Sequence, residues 1–444
     1  MMKDMTAGTP WKIILSFSIP LMAGNLLQQL YHTADTLIVG NLEGETALSA
    51  VGACASLTEL FTALAIGFSI GAGVLIAQCY GASQEESLRR YASTAIWLMM
   101  GMGLVVSLVG LLAGGFILQN VLQVPEPMQG LAVRYFRIYA LGLVFQFGYN
   151  IFAAILQAVG DSRATLYFLL LSSLVNMLLD FILVRIWGVA GAAVATGISQ
   201  FCACAAGGIY MNRKYRVLRF RLRELSFESC RAFDVLRVGM PMALQYSVIS
   251  VGILILQRLV NTYGQAMIAS FTVVVRLQGF LTIPIKGLQS TMTTYAGQNM
   301  GAGQKKRIPA GLWQAIGMSL GTTIVLAAVV YGFMDPIVQG FGIDSGAAQI
   351  CIRHLRVMVP SILMYAAYFP MNGMFQGVGD GVHATAYALL ALALRILFSY
   401  MLSAVAYWGY TAIWWSETYA WIIVLTVYYI YYFKGNWKNK ALIS

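Results

Sequence analysis

Apolar residues run through this chain in blocks of about twenty or more, separated by short polar interruptions. A block of about twenty is the length that crosses a bilayer as a helix. The pattern predicts twelve such helices, near 13–38, 47–76, 91–117, 132–157, 164–185, 188–210, 236–260, 266–294, 309–332, 351–375, 382–405 and 409–433. The second block is overlong, which predicts a tilt or an extension beyond the membrane. With no water in the hydrocarbon, each segment must satisfy its own backbone, so the spans are helices. Barrel strands would read instead as alternations of roughly ten residues.

The informative positions are the polar ones inside the blocks. The first block carries Asn25, Gln28, His32 and Asp35, spaced three, four and three apart. At 3.6 residues per turn they form one stripe of a helix. The fifth block repeats the device with Ser173, Asn176 and Asp180, and the sixth adds Thr196, Ser199 and Gln200. The fourth offers Gln146, Asn150 and Gln157. Hydroxyls such as Ser173, Thr196 and Ser199, taken singly, read as inter-helix hydrogen bonds that serve packing. Asp35 and Asp180 do not, because an acid inside the membrane is costly and marks a functional site. Two acids with an amide and a hydroxyl suit a hard cation such as Na⁺, and the same acids can share and release a proton. His32 reads equally as a packed helix residue or as a lumen-facing one.

The chain also repeats itself. Ser18-Ile-Pro20 matches Gly239-Met-Pro241, Gln78-x-x-Gly81-Ala82 matches Gln298-x-x-Gly301-Ala302, and Gln157-Ala-Val-Gly160-Asp161 matches Gln376-Gly-Val-Gly379-Asp380. Arg134 and Arg137 match Arg353 and Arg356, and the offsets stay between 219 and 221. A constant offset over half a chain marks an internal duplication. The expected organisation is an N-terminal lobe of six spans (1–211), a cytoplasmic linker (212–235) and a C-terminal lobe of six spans (236–444). An even number of spans per half makes the halves parallel, related by a pseudo-two-fold axis along the membrane normal. Sites at the interface of such halves are a transporter architecture. The fold class is therefore an all-α polytopic membrane protein.

Composition and charge agree with this. Of 444 residues, 59% are apolar and only 10% charged, against about 25% charged in soluble proteins. With the N-terminus inside, Lys and Arg concentrate in the inner segments and the outer loops hold none. That orients both termini to the cytoplasm. The net charge of +11 then reflects topology and contact with anionic inner-leaflet lipid rather than nucleic-acid binding. The six cysteines show no paired spacing and read as small packing residues. The first apolar block is too long for a cleavable signal peptide.

The second half does not copy the acids. Its first span has Gln245, Ser247 and Gln257 but no carboxylate, and Arg395 and Ser399 stand where Asn176 and Asp180 stand in the first half. The ion site therefore exists once. The other charges at membrane depth are Arg276, Lys286, Glu59 and Glu417. The expectation is that Arg395, Arg276 and Lys286 pair with Glu417 or Glu59, or else line a cavity. Pro20 and Pro241 lie inside the first span of each half. A proline bends a helix, which makes Pro20 a candidate hinge beside the acid stripe.

The opening run Asp4-Met-Thr-Ala-Gly-Thr-Pro-Trp-Lys, then Pro20, Gly24-Asn25, Gln28-Gln29-Leu-Tyr31, Asp35 and Val39-Gly40, resembles the start of a bacterial multidrug and toxic compound extrusion (MATE) transporter. The doubled Gln-x-x-Gly-Ala and Gln-x-x-Gly-Asp signatures resemble that family too. The resemblance implies two six-helix lobes, alternating access, and efflux of amphipathic, often cationic compounds in exchange for H⁺ or Na⁺. It implies an ion held by Asp35, Asn176, Asp180 and Thr196, and a substrate lined by Gln28, Asn150, Ser173 and Asn176, with Asn25 and His32 on the same stripe. A second branch of the family uses acids on spans seven and ten, which this chain lacks.

The reading is a secondary active exporter of small organic compounds, with no cofactor beyond the coupling ion and no enzymatic activity. It is expected to be a monomer in the plasma membrane, in contact with lipids and not with nucleic acid. The alternative is a flippase for a lipid-linked precursor, which would need a strongly cationic cavity. An intramembrane enzyme would need a nucleophile with its base or a metal set such as HExxH, and neither is present.

Overall fold

The computed structural model describes residues 4–219, 226–405 and 407–443, with backbone only at residues 32, 34, 36, 37, 41, 45 and 48. His32 and the linker residues 220–225 thus lie outside the residues whose side chains are described. The described chain is helical almost throughout. In order, the helices are α1 (Pro10–Gly81), α2 (Glu85–Phe116), α3 (Glu126–Ala158), α4 (Ser162–Trp187), α5 (Val189–Lys214), α6 (Ser229–Asn261), α7 (Gln265–Leu281), α8 (Ile283–Gly301), α9 (Arg307–Gly332), the short α10 (Met334–Gln339), α11 (Ser345–Gly377), α12 (Gly381–Ser403) and α13 (Thr411–Lys434).

Ten helical segments among the described residues are long and apolar enough to cross a membrane, and the bent pair α7 and α8 makes eleven. The first two predicted spans are one helical run, α1, broken at Gly44. There φ is +80°, a left-handed value that side-chain-bearing residues avoid. The span predicted at 266–294 is two helices meeting at Thr282 with a 44° bend. Pro284 sits in the first turn of α8, where a missing N–H costs nothing. The last predicted span, 409–433, is α13. It has the length of a span, but Trp414, Trp415, Tyr419, Trp421, Tyr428 and Tyr429 give it an aromatic rather than aliphatic composition. α6 starts at Ser229, inside the stretch read as linker.

The chain forms two compact units. One comprises residues 1–4, 23–247 and 443–444, the other residues 5–22 and 248–442. Each long helix that opens a half is therefore shared. α1 gives its first turns to the second unit, and α6 gives its first turns to the first unit.

In the first unit, α3 packs on α2 and α5, and α4 on α5. The α6 segment is held by Tyr91 donating to Asp234 at 2.7 Å and Ser93 donating to the Ser226 carbonyl at 2.9 Å. Gly67 and Gly71, four apart, let α1 touch the α6 backbone, since a Cβ at Gly67 would fall 2.2 Å from Ala243 Cα. This is close small-residue packing of membrane helices.

In the second unit, α11 packs on α7, α8 and α9, and α12 on α13. The residue-5–22 segment is docked by polar contacts at its start. The Met5 N–H donates to Gln298 Oε1 at 2.9 Å, and Asn299 Nδ2 donates to the Met5 carbonyl at 3.2 Å. Gln298 is the first residue of the repeated Gln-x-x-Gly-Ala signature, which gives that signature a docking role here. Gly287 packs against Met22, as Gly67 packs against Ala243 one repeat away. Pro20, buried inside α1, precedes by two residues the point where the helix passes from one unit to the other.

Candidate functional site

The first unit gathers a polar cluster with two acids from three helices. α1 brings Tyr31 and Asp35, one turn apart. α4 brings Asn176 and Asp180, also one turn apart and both with no exposed surface. α5 brings Thr196. The Asp35 and Asp180 carboxyl groups lie close enough to interact directly. Two carboxylates in contact repel unless a proton or a cation lies between them. Oδ1 of Asp35 and Oδ1 of Asp180 are buried with no hydrogen-bond partner among the described residues, so the pair retains acceptor capacity that those residues do not use.

Asn176 can serve either charge state of Asp180. In one amide orientation its nitrogen donates to Asp180 Oδ2 at 2.6 Å and its oxygen accepts from the Thr196 N–H at 3.3 Å. That suits an ionised carboxylate. In the other, its nitrogen donates to Thr196 Oγ1 at 3.4 Å and its oxygen faces Asp180. That suits a carboxyl group with a proton to give. Thr196 Oγ1 itself donates to the Ala192 carbonyl at 3.0 Å.

A tyrosine shell that sequence reasoning missed closes around the acids. Tyr31 hydrogen-bonds Thr196, and its ring and that of Tyr135 lie close enough to Asp35 to feel its charge. Tyr135 and Tyr139 stack at 6.3 Å on α3. Tyr139 donates to Gln146 Oε1 at 3.1 Å, and Gln146 donates to Thr62 at 2.9 Å. Tyr31 was legible in principle, four residues before Asp35 and so on the same face.

The structure does not join every predicted residue to the acids. Ser173 is buried one turn before Asn176, its hydroxyl without a partner among the described residues. Asn150 donates back to the Gln146 carbonyl at 2.8 Å. Asn25 is half-buried and Gln28 exposed on α1.

In the second unit, Arg395 Nη2 pairs with Glu417 Oε2 at 2.8 Å. Glu417 Oε1 accepts from Tyr365 and, at 3.0 Å, from Gln278. Arg276, Lys286 and Glu59 are exposed and have no ion pair among the described residues. Of the pairings expected from sequence, only that of Arg395 with Glu417 forms.

The duplicated Gly-Asp ends hold a further pair of clusters. Asp161 caps α4, accepting from the Ala164 N–H at 3.2 Å. It also accepts from Lys214 at 3.0 Å, Tyr210 at 2.9 Å and Tyr215. Burial pushes its carboxyl group up, but the bonds from Tyr215, Lys214 and Tyr210 outweigh that and hold it below the ordinary carboxylate value. Burial, then the bond to Asp161, raises the Tyr215 phenol. Asp380 takes the equivalent place, with His383 at 2.7 Å and Tyr431 as partners.

Membrane-crossing helices in duplicated halves, with two acids drawn together inside one of them, make this a polytopic membrane transporter by class. A family model described as MatE matches residues 20–182 and again residues 241–401. The chain therefore belongs to the MATE family, and the double match coincides with the internal repeat.

It is similar over nearly its whole length to a probable multidrug resistance protein, YpnP, of Bacillus subtilis, with 27% identity over 99% of both chains. It is also similar to the multidrug export protein MepA of Staphylococcus aureus, with 26% identity over 91% of this chain and 90% of that one. A solved outward-facing structure of a multidrug resistance MATE family transporter superposes with a TM-score of 0.90 over 96% of both chains at 24% identity. That likeness establishes the fold.

Proposed function

We propose that the protein exports small amphipathic organic compounds, cationic ones among them, by antiport with H⁺ or Na⁺. The observation that carries this reading is the Asp35–Asp180 contact with its two unused, buried carboxylate oxygens. The names borne by the full-length relatives YpnP and MepA support the substrate class.

In this reading the acid pair alternates between two states. Loaded with a proton or Na⁺, the carboxyl groups sit in contact, and Asn176 and Thr196 complete the ligand set. Unloaded, they repel, and the repulsion strains α1 against α4. Pro20 lies on the same helix where it changes unit, and it acts as the hinge through which loading alters access. Gln28, Asn150, Ser173 and Asn176, with Asn25 and His32, line the path of the organic substrate. The two six-span lobes then alternate access, with both termini in the cytoplasm and the protein acting as a monomer in the plasma membrane.

The driving force is adequate. One charge crossing 100 mV is worth roughly 2.3 kcal/mol, and one pH unit about 1.36 kcal/mol. For a neutral substrate, one ion per cycle therefore sustains a ratio on the order of a hundredfold, whereas for a monovalent cation the exchange moves no net charge and one pH unit sustains about tenfold.

The test is dye efflux in everted vesicles with imposed Na⁺ or pH gradients. Asp35→Asn and Asp180→Asn are each expected to abolish gradient-driven efflux while leaving the protein folded. Export by Asp35→Asn at the parental rate would end this reading.

A further inference from the structure

The repeat relates the polar sites of the two units residue by residue. The offset of 219 that joins Asp161 to Asp380 also carries Asn176 onto Arg395 and Asp180 onto Ser399. In the final helix of each half the register is fixed by a duplicated bond. Tyr210 donates to Asp161 Oδ2 and Tyr431 donates to Asp380 Oδ2, and these tyrosines are 221 apart. The same 221 carries Thr196 onto Glu417. The Asn176–Thr196 contact between α4 and α5 and the Arg395–Glu417 ion pair between α12 and α13 are thus the same contact in the two halves.

We propose that Arg395 is a tethered cation, filling in the second unit the place that the exchangeable cation takes in the first, and that Glu417 is a masked cation site. This rests on the cation-antiport reading of the first unit and adds a statement about stoichiometry: one half exchanges its cation and the other keeps it.

The surroundings of Glu417 fit. It is 4% exposed. Its Oε1 is shared by Tyr365 from α11 and Gln278 from α7, while its Oε2 faces Arg395 from α12. On its own helix, Ser416 is bonded to Ser399. Among the described residues, the other titratable groups near this pair are Tyr365 itself and His354 of α11, the latter close enough to feel the Arg395 charge and stacked on Trp414. Arg395 is therefore the only charge balancing Glu417 among the described neighbours.

A guanidinium does not give up its proton, so this pair cannot load and unload. If the guanidinium is removed, a buried carboxylate remains with nothing to neutralise it. Such a group must take a proton or a metal cation from solution.

Two measurements on the purified full chain test this. The first is labelling by a hydrophobic carbodiimide, which attacks protonated carboxyl groups, read by peptide mass spectrometry across pH. Glu417 is expected to stay unlabelled in the parent and in Arg395→Lys, which keeps a tethered charge. It is expected to become labelled in Arg395→Met. Labelling of Glu417 in the parent that varies with pH would overturn the proposal, and this arm holds even if Arg395→Met does not fold.

The second is the rise in thermal midpoint on adding Na⁺ or lowering pH, in a background carrying Asp35→Asn and Asp180→Asn. That background alone is expected to show no rise. If it does show one, the first-unit reading fails, while the comparison that follows still decides this proposal. Adding Arg395→Met is expected to create a saturable rise, and adding Glu417→Gln to that is expected to remove it. Equal responses from those last two proteins would refute the masked site.

Discussion

The Asn176 amide reaches Asp180 Oδ2 at 2.6 Å, one turn along the same face of α4. That short contact places a neutral group able to donate or accept directly against an acid inside the membrane. The same amide also contacts Thr196.

Asn176→Ala should therefore weaken cation loading. A hydrogen bond to a charged group contributes roughly 1.5–3 kcal/mol, so the cation concentration for half-maximal efflux should rise by about ten- to a hundredfold. Dye efflux titrated against Na⁺ or pH measures this. A shift below twofold would show that Asn176 only packs.

Tyr31→Phe removes a hydroxyl bonded to Thr196 and keeps the ring. A neutral hydrogen bond contributes about 1 kcal/mol. The expected outcome is roughly a fivefold loss in apparent cation affinity, with the thermal midpoint nearly unchanged, from the same titration.

Asp161→Asn tests the cluster at the start of α4. The folded carboxyl group is held below its ordinary value, so its bonds contribute fully above the unfolded value of about 3.9 and fade as pH falls through the folded value. At neutral pH the variant should lose about 2 kcal/mol or more. Chemical denaturation at a series of pH values should show the gap to the parent closing below about pH 4. A gap independent of pH would mean that the carboxylate charge is not what holds Lys214 and the two tyrosines.

Gly373→Ala should cost about 1–3 kcal/mol or more, because a Cβ there would fall 2.2 Å from the Gln289 carbonyl oxygen and force α11 away from α8. Gly317→Ala on α9, where a Cβ meets nothing within 4 Å, is the control. It should be neutral or gain up to about 1 kcal/mol. Thermal unfolding in detergent separates the two.

Much of this molecule is readable from the chain. Block length fixes the helical membrane class, and the family model's double match coincides with the repeat read from Pro20, Gln78 and Asp161. The spacing of Asn176 and Asp180 puts them on one helix face, and the cost of burying an acid singles out Asp35, which lies beside Asp180. The pairing of Arg395 with Glu417 follows from the same cost. What stays hidden depends on tertiary partners. The break at Thr282 is hidden because 266–294 has the length of a single span, although Pro284 marks it. Tyr135 and Tyr139 look like ordinary aromatic residues until α3 is laid beside α1. The sharing of α1 and α6 between units leaves no trace in periodicity, because a helix reads the same whichever neighbour it packs against.

That sharing has a consequence for how the chain is made. Residues 5–22 leave the ribosome well before their partners Gln298, Asn299 and Gly287, which lie more than two hundred residues downstream. At a synthesis rate of roughly 5–20 residues per second, the opening helix waits on the order of ten to fifty seconds before it can dock. During that time its buried face, including Phe17 and Pro20, needs a temporary host in the lipid or the insertion machinery. The second compact unit cannot close until most of the protein exists.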